Sequence, residues 1–331
     1  MFRRRINKLI GHACRFLKTE RVFNKPIGAI FEMSNLCNLQ CPLCSTGGFK
    51  SDYTHVERGW MRFETFKIAL DKLLPELETI LLYNWGEPLL SKDVFRCIDY
   101  AARWNIKTYM STNIMAYTEE MGRNLIQSGL TRLTVSCDGI SQETYGRYRA
   151  GGDLKKVIAS VEHLIAMKKK MLCSHPHIDM QFIVFKHNEN EMKEFEKFWK
   201  NKGADSVSFI RMSYMSKQGM GLAKQLDFVP INPNYQPYHP YGKIKSCADL
   251  YYGLTLDWNG DWYSCCFPSG EKPFKVGNII TDNFWEIWNG PKYRYFRKLL
   301  KTHRILKESY ETMCHDCVGV YPNQETLSYW K

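Results

Sequence analysis

The stretch Ile27-Gly28-Ala29-Ile30-Phe31-Glu32-Met33, followed shortly by Cys37-Asn38-Leu39-Gln40-Cys41-Pro42-Leu43-Cys44, decides how this chain is read. Its first part is an apolar run of strand length. Its second part puts three thiols on one short loop. Iron–sulfur clusters are held by Cys thiolates, usually four of them. Three thiolates suit a four-iron cluster whose fourth iron stays open to a substrate or cofactor. A structural zinc site instead wants four ligands, usually as two Cys pairs. No further Cys or His follows the triplet until His55.

Outward from this stretch, strand-like and helix-like segments alternate. Strands are expected at Ile27–Met33, Thr79–Tyr83, Lys107–Met110, Leu133–Cys137, Ile178–Phe185 and Ser206–Ile210. Helices are expected at Phe63–Leu74, Val94–Trp104, Glu119–Ser128, Leu154–Lys170 and Glu191–Asn201. Six β units joined by crossovers argue for a parallel α/β sheet. Right-handed crossovers curl such a sheet into a partial (β/α)6 TIM-like barrel. Catalytic groups of such barrels gather at the C-terminal ends of the strands, where the Cys37–Cys44 loop lies. Pro230, Pro233, Pro237 and Pro240 interrupt the rhythm, so residues 212–246 read as an irregular linker. The expected division is a basic amphipathic helix over 1–25, a barrel over 26–211, the linker over 212–246, and a small domain over 247–331.

The chain has 331 residues and 12 cysteines, a length that suits one barrel-sized domain and a smaller one. No signal peptide stands out. Clustered cysteines in a reducing, cytoplasmic setting point to metal rather than disulfides. No apolar run is long enough to span a bilayer. Lys and Arg outnumber Asp and Glu by 46 to 34, a net charge of +12 spread along the chain. Such an excess can attract anionic substrates, nucleic acid or a membrane surface. No nucleic-acid-reading motif accompanies it. At the N-terminus Phe2, Ile6, Leu9, Ile10, Ala13, Phe16 and Leu17 recur at helical spacing, with Arg3, Arg4, Arg5, Lys8, Arg15 and Lys18 between them. The expectation is a helix burying its apolar stripe against the bottom of the barrel. Peripheral membrane contact is the alternative.

A second cysteine set, Cys247, Cys265, Cys266, Cys314 and Cys317, lies after the linker. Gly253 to Ser264 reads as a β-hairpin turning at Asn259-Gly260. Cys314-His315-Asp316-Cys317 puts two thiolates on one metal. Spacing alone permits zinc here as well as iron.

These motifs together resemble the radical S-adenosylmethionine (SAM) enzymes. Cys37-x3-Cys41-x2-Cys44 is similar to the family's cluster motif, whose open iron chelates SAM. Asn84-Trp85-Gly86-Glu87-Pro88 resembles its Gly-Gly-Glu-Pro motif, with Trp85 in place of the first glycine. The resemblance implies that Gly86 and Glu87 approach the SAM amino group, Glu87 by a charge-assisted contact. It implies that Ser111 and Asn113 meet the ribose, that Ser136 and Arg149 meet the carboxylate, and that Leu43 packs beside the adenine. Asp138 would face the substrate. The C-terminal set resembles SPASM and twitch extensions. This implies one auxiliary [4Fe-4S] cluster on Cys247, Cys265, Cys314 and Cys317, beside the SAM-binding [4Fe-4S] cluster.

The implied activity is reductive cleavage of SAM to a 5'-deoxyadenosyl radical, which takes hydrogen from a small-molecule substrate. A flavodoxin or ferredoxin would donate the electron. Sugar- or aminocyclitol-like substrates undergoing dehydrogenation or epimerisation are the first expectation, with Cys137 and Cys266 as candidate hydrogen donors. The alternatives are a peptide maturase and a zinc-stabilised nucleic-acid-binding protein without catalysis.

Overall fold

The computed structural model describes residues 2–48, 57–212, 217–236, 247–265 and 274–302. Helix α1 (Phe2–Phe16) precedes the alternation β1 (Gly28–Phe31), α2 (Phe63–Leu73), β2 (Thr79–Leu81), α3 (Val94–Ala102), β3 (Lys107–Thr112), α4 (Glu119–Gln127) and β4 (Arg132–Ser136). It continues through α5 (Gln142–Tyr148), α6 (Leu154–Lys170), β5 (His177–Val184), α7 (Met192–Lys202), β6 (Ser206–Arg211) and α8 (Lys217–Gln225). The C-terminal part adds α9 (Asp249–Tyr252), β7 (Thr255–Leu256), β8 (Asp261–Tyr263), β9 (Lys275–Asn278), α10 (Phe284–Trp288) and α11 (Pro291–Thr302).

Strands β1 to β6 pair in parallel and in chain order, giving the expected six-unit curled sheet, unclosed. Both faces of β1 and β2 are buried. Strands covered on both sides are characteristic of parallel sheets, and explain their unbroken apolar character. Ala29, Phe31, Ile80, Leu82, Met110 and Val135 pack toward the helices in the main core. Ile30 and Leu81 face the barrel interior with Tyr83 and Tyr109.

Helix α5 and the C-terminal helices extend the expected pattern. The signal for α5 is the box Ser141-x-x-Thr144, in which each side chain caps the other residue's backbone N–H. Within the expected linker, α8 is a regular helix. Its residues precede the first proline of that segment, so nothing in them breaks a helix.

The expected hairpin joins the main sheet. Strand β7 pairs in parallel with β1, and β8 and β9 follow antiparallel, so one sheet runs β6-β5-β4-β3-β2-β1-β7-β8-β9. Its turn spans Asp257 to Gly260, closed by the Gly260 N–H donating to Asp257 O at 2.9 Å. Only Gly260 takes a positive φ, +86°. This is a four-residue turn ending on a left-handed glycine, not the two-residue Asn-Gly turn that needs positive φ at both positions. Behind the hairpin, Trp262, Trp288, Tyr293 and the guanidinium of Arg297 are fully buried. Arg297 Nε donates to Leu250 O at 2.8 Å and Nη1 to Trp288 O at 2.9 Å.

Helix α1 also departs from expectation. It docks through Asn7, Gly11 and Cys14, which are buried. Asn7 exchanges hydrogen bonds with the Lys25 backbone at 2.8 and 2.9 Å. A Cβ on Gly11 would lie 2.8 Å from the Tyr252 ring. Of the expected stripe, Ile10 packs against the core, but Phe2, Ile6, Leu9, Phe16 and Leu17 face outward. The small and polar side of this helix makes the close contact, because short side chains let the backbone approach.

Candidate functional site

The loop after β1 is pinned on three sides. The Gln40 N–H donates to Ala150 O at 2.9 Å, just beyond α5, and the Glu87 N–H donates to Leu36 O at 2.7 Å. Asn113, just beyond β3, donates from Nδ2 to Asn38 Oδ1 at 2.8 Å and lies 3.8 Å from Cys37 Sγ. Inside the loop, backbone bonds run from Cys44 N and Gly48 N to Cys41 O and from Gly47 N to Cys44 O. Thr46 Oγ1 lies 3.0 Å from Cys44 Sγ and donates to Trp85 O at 2.8 Å. Cys37, Cys41 and Cys44 therefore share one folded loop at the C-terminal end of the sheet.

An apolar shell surrounds the three thiols. Leu39, Tyr148, Phe185, Met212, Ala223 and Phe228 form it, with Leu43 packed against it. Tyr148 and Phe185 ring centroids are 4.3 Å apart. Ala223 and Phe228 come from α8 and the residues after it, so the expected linker covers the cysteine loop. Burial pushes the Cys41 thiol up to about 12, and it raises Cys37 as well, while the nearby Arg149 guanidinium pulls both back. Thiols become metal ligands by losing their protons. Among the described residues, no three His, Cys, Asp or Glu side chains are grouped around a single metal ion. A four-iron cluster instead takes one thiolate per iron, so its ligands need only face a common space. Three soft thiolate donors, an apolar shell and a cation nearby fit such a cluster.

The residues expected around SAM lie on the same rim, but several are already engaged. Glu87 is buried and braces the rim. Its Oε1 accepts from Leu89 N at 3.0 Å and Thr112 Oγ1 at 2.6 Å, and its Oε2 from Asn113 N at 2.7 Å. That network makes it a support for the loops. Gly86 is obligatory for packing, since a Cβ there would lie 1.9 Å from Ser34 O. Ser111 and Ser136 lie at the ends of β3 and β4, with Ser136 buried and Ser111 half-buried. Arg149 Nε donates to Asp138 Oδ2 at 2.6 Å, and Ile183 N donates to Asp138 Oδ1 at 2.7 Å. Asp138 is fully buried and both of its oxygens are used. It anchors Arg149 instead of facing a substrate. Cys137 is also fully buried and packs in the main core on the helix side, 3.6 Å from Gly139 O. That placement does not suit a hydrogen donor to a molecule inside the barrel.

In the second cysteine set, Cys247 precedes α9 and packs against the main core, and Cys265 follows β8 and packs, like Tyr83 and Tyr109, against the Ile30–Leu81 pair. Cys266, Cys314 and Cys317 lie outside the described residues.

One functional residue escaped the sequence reading. Glu32, at the end of β1, is buried and accepts backbone N–H bonds from Trp85 at 2.7 Å and Gly86 at 3.3 Å. It holds the loop after β2 in place. Asp257 of the hairpin turn is close enough to repel it. The signal was a lone acid in an apolar run, five residues before Cys37. Burial pushes Glu32 up to about 8, the Asp257 charge adds to this, and the N–H bonds oppose it. A carboxyl raised in the folded state stabilises fully below its unfolded value of 4.5, and loses this as pH rises to about 8. Glu32→Gln should therefore flatten the fall in melting temperature across that range. An unchanged slope in thermal melts would assign the pH dependence to other groups.

Comparison with known proteins agrees with this geometry. The radical SAM superfamily pattern matches residues 31–198, and that of an iron–sulfur cluster-binding domain, SPASM, matches residues 247–318. The chain belongs to the radical SAM superfamily and carries a SPASM-type C-terminal region. Its cofactors are SAM, a SAM-binding [4Fe-4S] cluster and an auxiliary [4Fe-4S] cluster. It is 30% identical over 335 residues to the AdoMet-dependent heme synthase of Methanosarcina barkeri, covering 89% of this chain and 91% of that one. It is 22% identical over 311 residues to the mycofactocin maturase MftC of Mycobacterium ulcerans, covering 84% and 79%. The fold is similar to that of Streptococcus suis SuiB bound to the precursor peptide SuiA, with a TM-score of 0.64, 16% identity, and 92% and 78% coverage.

Proposed function

We propose that Cys37, Cys41 and Cys44 hold the SAM-binding cluster, and that Cys247, Cys265, Cys314 and Cys317 hold the auxiliary one. The observation that carries the first assignment is the single folded loop that gathers three thiols at the C-terminal end of the sheet. When bound, the reduced cluster and SAM supply a 5'-deoxyadenosyl radical able to take a hydrogen atom from an unactivated C–H bond.

The chain's own residues prepare that event. Asn113 and the Ala150 carbonyl fix the loop. Arg149, steadied by Asp138, offers its remaining N–H groups to the SAM carboxylate, beside Ser136. An Arg fork suits a carboxylate. Ser111 and Asn113 would bond the ribose, and Leu43 would offer apolar surface for the adenine. The shell of Tyr148, Phe185 and Phe228 excludes water, which protects a radical from side reactions.

The substrate reading is a small polar ring, sugar- or aminocyclitol-like, which the enzyme dehydrogenates or epimerises. Tyr83 and Tyr109 on the interior face, with the hydroxyl of Ser111 nearby in β3, offer a stacking surface and hydrogen bonds. With Cys137 turned away, dehydrogenation is favoured: once a hydrogen atom is taken, the substrate must still lose one electron and one proton, and an auxiliary cluster held by Cys247, Cys265, Cys314 and Cys317 would accept that electron while water would take the proton. A flavodoxin- or ferredoxin-type protein would supply the separate electron that SAM cleavage consumes. Peptide modification is the second reading, favoured by the similarity to MftC and to SuiB.

Reconstituted enzyme is incubated with SAM and deuterated candidate substrates of each class. Deuterium entering 5'-deoxyadenosine from an aminocyclitol or sugar supports the first reading. Transfer from a peptide alone would replace it by the second.

A further inference from the structure

Helix α1 turns its apolar stripe away from the protein. Phe2, Ile6, Leu9 and Phe16 are 77, 41, 68 and 87% exposed. They recur at spacings of three, four and seven, which places them on one side of a helix. Arg3 and Arg5 are exposed beside them, and Lys8 and Arg15 are half-exposed. An outward apolar stripe flanked by cations is the pattern of a helix that lies in a membrane interface.

A second observation comes from the position of this helix. The Arg4 guanidinium donates to Pro75 O, Trp104 O and Asn105 O. These residues belong to the loops entering β2 and β3, so α1 sits at the N-terminal end of the parallel strands. Other loops at that end also present large apolar side chains to solvent. Phe23 before β1 is 75% exposed, Trp104 before β3 is 45% exposed, and Leu172 before β5 is 95% exposed. Lys170, at the end of α6, is exposed next to Leu172. Scattered exposed apolar residues are ordinary, but several collected at one end of a domain mark an interaction surface.

We propose that this end of the barrel docks on an anionic membrane surface, with α1 lying in the interface plane. Charge chooses the occupant. A second copy would bring one basic helix against another, in a chain of net charge +12, whereas anionic headgroups complement it. The attachment is peripheral: among the described residues, no helix is long and apolar enough to cross a bilayer. The cysteine loop sits at the other end of the strands, so docking leaves that end of the barrel turned toward the solution.

The test uses the full chain with its clusters reconstituted anaerobically. It is floated with vesicles of phosphatidylcholine alone, and of phosphatidylcholine with phosphatidylglycerol. The expected result is co-flotation with the anionic vesicles only, and release by high salt. The double variant Leu9→Ser/Phe16→Ser should lower partitioning at least about tenfold. Both sites are exposed, so its circular dichroism and its SAM cleavage in solution should match the parent. Arg3→Gln/Arg5→Gln should weaken binding to anionic vesicles as well. No flotation, or flotation unaffected by the apolar variant, overturns the proposal. So does a dimer in light scattering that the apolar variant converts to a monomer.

Discussion

Replacing Cys37, Cys41 and Cys44 together by Ala is expected to remove about four irons per chain and to abolish formation of 5'-deoxyadenosine. The effect should be complete because the three thiols share one function. Without them the loop offers no soft donor to iron, and SAM has no open iron to chelate. The fold should survive. The loop keeps its bonds from Gln40 N to Ala150 O, from Glu87 N to Leu36 O and from Asn113 Nδ2 to Asn38 Oδ1, none of which uses a sulfur. Ala at position 41 removes one sulfur from a shell whose larger members are aromatic. Iron analysis, cleavage assays and circular dichroism on the same preparation decide the matter. Cleavage that persists in the variant would show that other residues hold the catalytic cluster.

Asp138→Ala is expected to destabilise the protein by about 3–5 kcal/mol, the usual consequence of stranding a buried partner charge. Asp138 is fully buried, and the Arg149 side chain is only 13% exposed. The variant leaves the guanidinium without its 2.6 Å partner and the Ile183 N–H without its acceptor. Removing both charges is the informative control. Asp138→Asn/Arg149→Gln should melt closer to the parent than Asp138→Ala, because no uncompensated charge remains. It should nonetheless bind SAM poorly if Arg149 receives the carboxylate. A double variant that binds SAM normally would leave Arg149 with a structural role alone.

The barrel was legible in the sequence because its first strands are buried on both faces, its later ones on one, and its helices on one. Each gives an apolar run of distinct length and period. Predicted strand boundaries fell within about two residues, the ordinary margin for such readings. The cysteine loop was legible because three thiols at fixed spacing have few uses. Pairings between distant side chains were less so. Asp138 and Arg149 are joined across the turn and short helix between them. Glu32 reads as an outlier in an apolar strand until the Trp85 and Gly86 N–H groups are seen to meet it. The direction of the α1 stripe was misread for a related reason. A sequence shows which side of a helix is apolar, but not which side a neighbour can reach. Here Gly11 and Asn7 offered the closer fit.

The pairing of β7 with β1 has a consequence for how the molecule can be divided. Through Ile30 and Thr255, Phe31 and Leu256, the hairpin covers a strand that would otherwise border the sheet. The Ile30 and Glu32 amides donate to Leu254 O and Leu256 O. A fragment stopping at residue 246 would present those amides as an uncapped, apolar border, which invites pairing with other chains. The strand carrying the cysteine loop thus has its native edge only after the C-terminal quarter has arrived.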